Sequence, residues 1–161
     1  VLGQKVHLNQ MPIAIKNSKI DISSEETTKE LAKDLTHYLK GGEIVYLYGE
    51  MGVGKTTFVR YLINQFQKNK KLHITEVTSP TFNLLNEYDI NDLVIKHYDL
   101  FRLKDESEIK NLDLFENNQS TITLIEWPQL ISKNKSIKTI DLIFSYENEL
   151  NNRSVKIDGL N

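Results

Sequence analysis

No cysteine occurs among the 161 residues, which excludes disulfides and thiolate metal sites. The chain also lacks an apolar run near the ~20 residues that a bilayer-spanning helix requires. It shows no secretory signal pattern. No membrane association is expected from it, and a cytoplasmic location is. Neither sign of charge dominates: 20 basic residues against 22 acidic ones leave a formal net charge of −2. That balance argues against a dedicated polyanion-binding surface. Lys68-Asn69-Lys70-Lys71 is a basic cluster at the expected end of a helix, where cations suit the helix dipole. It reads as a solvated turn rather than an RNA contact. The four histidines, His7, His37, His73 and His97, have no metal-ligand spacing. The sequence does not begin with Met, and Met11 is a candidate start, so residues 1–10 are expected to be a tag remnant or a processed end.

With 39% hydrophobic and 26% charged residues, the chain is expected to fold as a globule. No repeat or linker divides it, so residues 1–161 read as one domain. Ser23 with Glu26 has the form of a capping box before Leu31, Ala32, Leu35 and Leu39, which recur at helical spacing. Gly41-Gly42 is the expected end of that helix. Ile44 to Tyr48 reads as a buried strand. After a glycine loop, Phe58, Val59, Leu62, Ile63 and Phe66 share one helical face. Further strands are expected near 82–88, 93–99, 121–126, 138–146 and 153–158, with a hairpin turn at Asn91-Asp92. Residues 105–116 read as a helix with Ile109, Leu112 and Phe115 on one side. The pattern predicts an α/β fold: a mixed β-sheet of the P-loop NTPase kind, flanked by helices.

The loop Gly49-Glu50-Met51-Gly52-Val53-Gly54-Lys55-Thr56 matches G-x-x-x-x-G-K-[ST]. A chance match in a chain this long is on the order of one per cent. The residue types follow from the chemistry. Gly52 and Gly54 let the backbone curl around a phosphate with its N–H groups inward. The helix that starts there presents unpaired N–H groups and a positive dipole end. Lys55 can reach β and γ oxygens, and the Thr56 hydroxyl can ligate Mg²⁺. ATP with Mg²⁺ is the expected ligand.

Mg²⁺ also needs an acid, usually at a strand end. Two positions compete. Glu126 closes the apolar run Ile122-Thr123-Leu124-Ile125, and Asp99 closes the more polar run Val94 to Tyr98. The pattern favours Glu126 and leaves open which acid touches metal; a strand-end acid also commonly caps the next loop. Pro128 is expected to hold Trp127 in extended backbone; packing and a functional place beside Glu126 are both open for that tryptophan. Ser79-Pro80-Thr81 lies where a γ-phosphate sensor would sit, although a turn entering a strand explains it as well.

Several segments together resemble the TsaE (YjeE) family of bacterial ATPases. They are Tyr46-Leu47-Tyr48-Gly49, Gly52-Val53-Gly54-Lys55-Thr56-Thr57-Phe58, Ser79-Pro80-Thr81-Phe82 with Tyr88, His97 to Leu103, and Ile125-Glu126-Trp127-Pro128. The phosphate loop is widely shared, but the order of the later segments is specific. The resemblance runs from about residue 23 to residue 146. It implies one mixed sheet between helices. It implies that Lys55 and Thr56 hold phosphate and metal, and that Asp99 and Glu126 both serve Mg²⁺ and hydrolysis. Under it Trp127 lies beside the nucleotide and Thr81 belongs to a switch-like loop. It also places Ser23, Glu25 and Thr28 near base and ribose, with Arg153 as a basic neighbour of the adenine. Phe101 stands where the family usually has Tyr. The family's partners are TsaD and TsaB, which act on tRNA; the ATPase touches tRNA only through that complex and supports its turnover in threonylcarbamoyladenosine formation at position 37.

Two other functions compete. A small-molecule or nucleoside kinase would need an acceptor pocket and an Arg-rich lid, whereas the arginines are Arg60, Arg102 and Arg153 and no long insertion is present. A nucleotide-dependent protein-binding switch without significant hydrolysis would share the loop. Guanine recognition by N-K-x-D is not expected, because Asn134-Lys135 is followed by Ser136-Ile137.

Overall fold

A computed structural model describes residues 19–116, 119–132, 137–148 and 151–160. The expectations for residues 1–10, Met11, His7 and Asn134-Lys135 fall outside those residues.

Among the described residues seven strands form one mixed sheet: β1 (Lys19–Asp21), β2 (Ile44–Tyr48), β3 (Leu85–Ile90), β4 (Leu93–Asp99), β5 (Thr121–Glu126), β6 (Thr139–Tyr146) and β7 (Arg153–Asp158). Their order is β1-β7-β6-β2-β5-β4-β3. The central β6, β2, β5 and β4 run parallel. Antiparallel β3, β7 and β1 close the flanks. Among the described residues three helices accompany the sheet: α1 (Glu25–Leu35), α2 (Lys55–Asn69) and α3 (Glu106–Lys110).

Strand alternation divides the core. Val45 and Leu47 of β2, Ile122 and Leu124 of β5, and Ile95 of β4 join the apolar faces of α1 and α2 in the larger cluster. Phe58, Val59, Leu62, Ile63 and Phe66, the helical stripe expected from spacing, are all buried there. Ile44, Tyr46, Ile125 and Tyr98 point the other way, and Leu100, Leu114 and the segment around α3 cover them. Among the described residues no helix is long and apolar enough to cross a membrane.

Several expected boundaries move. The cap of α1 is Ser24, whose Oγ accepts from Glu26 N at 3.2 Å. Ser23 is drawn off by β7, where its Oγ accepts from Arg153 N at 2.9 Å. The helix stops at Leu35, before Gly41-Gly42. Those glycines instead begin the turn into β2, where Glu43 accepts from Lys40 N and Gly41 N. Only Glu106–Lys110 of the expected helix over 105–116 forms, because Asp105 caps it and Asn111 ends it. Even so, Ile109, Leu112 and Phe115 pack together against the second cluster as a one-sided set. β3 begins at Leu85 rather than 82, after a turn in which Leu84 N donates to Pro80 O at 2.7 Å. The hairpin at Asn91-Asp92 forms as expected, with Asn91 at φ 60. The short edge strand β1 was not anticipated; three residues carry too little alternation to register.

Candidate functional site

β2, β5 and β4 are neighbouring parallel strands, so their carboxyl ends open on one rim of the sheet. The loop after β2 leads directly into α2. Gly54 is its N-cap at φ 118, with no side-chain cap bond and no acid in the first turn. By contrast, α1 has Ser24 with Glu25 and Glu26, and α3 has Asp105 with Glu106 and Glu108. The start of α2 therefore keeps its unpaired N–H groups and positive dipole end without an internal anion, which suits an anionic ligand. Gly49 is required by crowding as well as by its φ of +145, since an added Cβ would lie 2.9 Å from both Phe144 O and Val53 Cγ1.

Lys55 is 96% buried, being 4% exposed. Its ammonium donates to Gly49 O and stands 3.6 Å from the centroid of the Trp127 ring. Burial lowers its pKa from the ordinary lysine value, and the charges of Glu126 and Asp99 only partly oppose this.

The acids arrive by register. Asp99 and Glu126 are paired positions at the ends of β4 and β5. The Thr56 hydroxyl lies 3.0 and 3.2 Å from the two Glu126 oxygens. Glu126 Oε2 is also 2.6 Å from His97 Nε2. Asp99 Oδ2 accepts from Ser79 Oγ at 3.0 Å, and Asp99 Oδ1 accepts from Phe101 N at 3.0 Å. Ser79 Oγ in turn meets Thr81 Oγ1 at 2.9 Å. Arg102 holds the same loop by donating to Thr81 O and Phe82 O at 2.6 and 2.7 Å.

Trp127 departs from the expected extended backbone and has φ 58. This is a left-handed conformation that a bulky residue before proline rarely adopts. The reversal is held in place by contacts on the ring: Lys55 on one side and Phe101, 4.8 Å between centroids, on another. Such strain is typical of residues aimed into a site.

Lys55, Thr56, Thr57, Thr81, Asp99, Glu126, Trp127, Gly52, Gly54 and Met51 line one cleft of about 360 Å³, together with Ser79, Phe101 and Arg153. Ser23, Glu25, Thr28 and Val53 line a second of about 450 Å³, with Arg60. Gly54, Thr57 and Arg153 border both, so the two clefts adjoin. Glu50 lines neither, and it contributes its carbonyl to Val53 N at 3.2 Å. Glu25 is engaged by Arg60 and Tyr61, while the Thr28 hydroxyl is turned to Ile22 O and Ser24 O. His97, Phe101 and Arg60 were not singled out from sequence as site residues. Arg60 stands one helical turn after Thr56, a spacing that could have flagged it.

The cleft beside the α2 start is lined by the oxygens of the Thr56 hydroxyl, Glu126 and Asp99. No group of three His, Cys, Asp or Glu among the described residues forms a metal cage by itself. A hard divalent cation bound here would complete its shell from ligand and water.

A family model described as threonylcarbamoyl adenosine biosynthesis protein TsaE matches residues 22–155. The chain is 44% identical over 110 residues to the tRNA threonylcarbamoyladenosine biosynthesis protein TsaE of Rickettsia conorii, covering 68% of this chain and 61% of that relative. The Bacillus subtilis protein of the same name is 36% identical over 120 residues, covering 74% and 72%. The Nostoc protein is 33% identical over 147 residues, covering 88% and 86%. The chain thus spans less than two thirds of the Rickettsia relative's length. The crystal structure of Bacillus subtilis YdiB superposes with a TM-score of 0.64 at 23% identity, over 88% of this chain and 84% of that one, a likeness of fold. On the family match and these identities, the chain belongs to the TsaE family.

Proposed function

We propose that the protein binds ATP with Mg²⁺ and hydrolyses it, as the nucleotide-driven component of tRNA threonylcarbamoyladenosine biosynthesis. One observation carries the nucleotide half: the Thr56 hydroxyl and Glu126 carboxylate meet at 3.0 Å beside a helix start that has neither cap nor acid of its own. Lys55 would neutralise β and γ oxygens, and the first-turn N–H groups of α2 would hold the phosphates. Thr56 and Glu126 would hold Mg²⁺, with Asp99 alongside. The hydroxyl and carboxylate oxygens that line the cleft fit that ion, which takes one or two carboxylates and keeps phosphate and water as its other ligands. When bound, the metal supplies neutralisation of the charge on the transferred phosphoryl group. The second cleft, with Ser23, Glu25, Thr28 and Arg153, is the place for ribose and adenine.

The pathway half is supported by family membership and by the names of the curated relatives. In this reading the protein docks on a TsaD–TsaB pair and uses ATP to reset it between rounds of tRNA modification. The loop carrying Ser79 and Thr81 is tied to Asp99 at the rim, so it can order or relax with the phosphate and alter the face shown to a partner. The test is reconstitution with TsaD, TsaB, tRNA, threonine, bicarbonate, ATP and the enzyme that makes threonylcarbamoyl-adenylate. Modified adenosine should exceed one equivalent per TsaD only when this protein is present. Equal turnover without it, or with Glu126→Ala, would defeat the proposal. Phosphorylation of an acceptor by γ-labelled ATP would favour a kinase instead.

A further inference from the structure

Glu126 is held from two sides, and only Thr56 belongs to the phosphate loop. The other contact comes from the sheet. Alternation along β4 puts Ile95, His97 and Asp99 on the face that packs under α2. Asp99 is the register partner of Glu126, and His97 stands two residues earlier on the same face. That offset lets the imidazole reach diagonally to the acid, with Nε2 2.6 Å from Oε2. His97 is fully buried and Glu126 is 2% exposed. A carboxylate so removed from water needs fixed donors.

Packing alone does not account for an imidazole here. The position lies among apolar residues of the larger core cluster, and His97 Nδ1 is buried with no hydrogen-bond partner. A leucine would fill the space without an orphaned ring nitrogen, but it would take from Glu126 Oε2 the donor that Nε2 supplies. Nor is the ring placed as a proton relay, because a proton entering at Nε2 would have no acceptor beyond Nδ1. Among the described residues its polar side-chain contact is Glu126.

We propose that His97 is a positioning residue for the hydrolytic site: its Nε2–H fixes the Glu126 carboxylate so that the oxygen 3.0 Å from the Thr56 hydroxyl is presented to the metal. This rests on the ATP and Mg²⁺ reading given above. Partners that orient a ligating carboxylate act on metal affinity and on turnover, and leave metal-independent binding alone.

The test compares His97→Gln, His97→Asn and His97→Leu in the full-length chain. The glutamine amide reaches the place of Nε2, whereas the asparagine amide reaches only that of Nδ1. Calorimetry with a non-hydrolysable ATP analogue gives nucleotide affinity without metal and the Mg²⁺ concentration for half-saturation of the complex. The Asn and Leu variants should raise that Mg²⁺ concentration and lower kcat by roughly 10–100-fold, with metal-free nucleotide affinity at the parent value. The Gln variant should recover most of both. Equal behaviour of the Gln and Asn variants overturns the proposal, as does a Leu variant with the parent's Mg²⁺ dependence. If the Leu variant does not fold, the Gln and Asn pair decides. A parent protein that hydrolyses no ATP would defeat the ATPase reading alone, since the Mg²⁺ dependence of binding still decides the role of His97.

Discussion

The ammonium of Lys55 lies 3.6 Å from the centroid of the Trp127 ring, and Trp127 is the only tryptophan in the chain. A phosphate that attracts the ammonium changes what the indole faces, so tryptophan emission should shift on ATP addition. Lys55→Ala removes a charge-assisted contact of roughly 1.5–3 kcal/mol. ATP affinity by calorimetry should fall about tenfold or more, with the fold retained. Unchanged affinity would sink the phosphate-loop assignment.

Lys55 also carries a cost to stability. Burial lowers its pKa below the ordinary 10.5. Between the lowered value and 10.5 the unfolded chain binds more protons than the folded one, so stability rises with pH across that window. Below the window both states are protonated, and the full cost is present at neutral pH. Lys55→Met should therefore raise the urea midpoint at pH 7, and its advantage should shrink as pH approaches 10.5. A lower midpoint at pH 7 would show that the contacts to Gly49 O and Trp127 outweigh desolvation.

Thr56→Ala and Glu126→Ala remove the two partners of one hydrogen-bonded pair. Each should reduce Mg²⁺-dependent ATP hydrolysis more than metal-free nucleotide binding, because Mg²⁺ depends on hard oxygen ligands in octahedral array. The double variant should lose less than the sum of the singles, as groups acting as a unit do. Parent-rate hydrolysis by both single variants would exclude the pair from the metal shell.

The loop over 78–84 is pinned from outside by an exposed side chain. Arg102 donates to two of its carbonyls, Thr81 O and Phe82 O. Arg102→Ala should speed amide hydrogen exchange at 81–84 while leaving nucleotide affinity near the parent value. Parent-like exchange would mean that the turn closed by Leu84 N and Pro80 O is sufficient alone.

The parts legible in the sequence are those written in local pattern. The stripe of Phe58, Val59, Leu62, Ile63 and Phe66 and the strand runs ending in Asp99 and Glu126 needed only periodicity and β-branched composition. Whatever depends on distant residues was not legible. Ser23 looked like a helix cap because no local signal says that Arg153 claims its hydroxyl across 130 positions. Trp127 looked extended because the pre-proline rule is local, whereas Lys55 and Phe101 hold its ring in place from elsewhere in the chain. His97 read as one member of a polar strand, and only register with β5 turns it toward Glu126.

The pairing of β1 with β7, Ile20 opposite Val155, has a consequence for the order of assembly. The glycine loop, α2 and the strands bearing both acids all lie within Ile44–Glu126. The second cleft needs Ser23 and Arg153 together. During synthesis the phosphate-side groups leave the ribosome well before Arg153 does. Contacts that join such distant segments form late, because the intervening chain must first give up its loop entropy. Pairing of β2, β5 and β4 therefore brings the glycine loop and both acids together ahead of the contact between Ser23 and Arg153 that closes the second cleft.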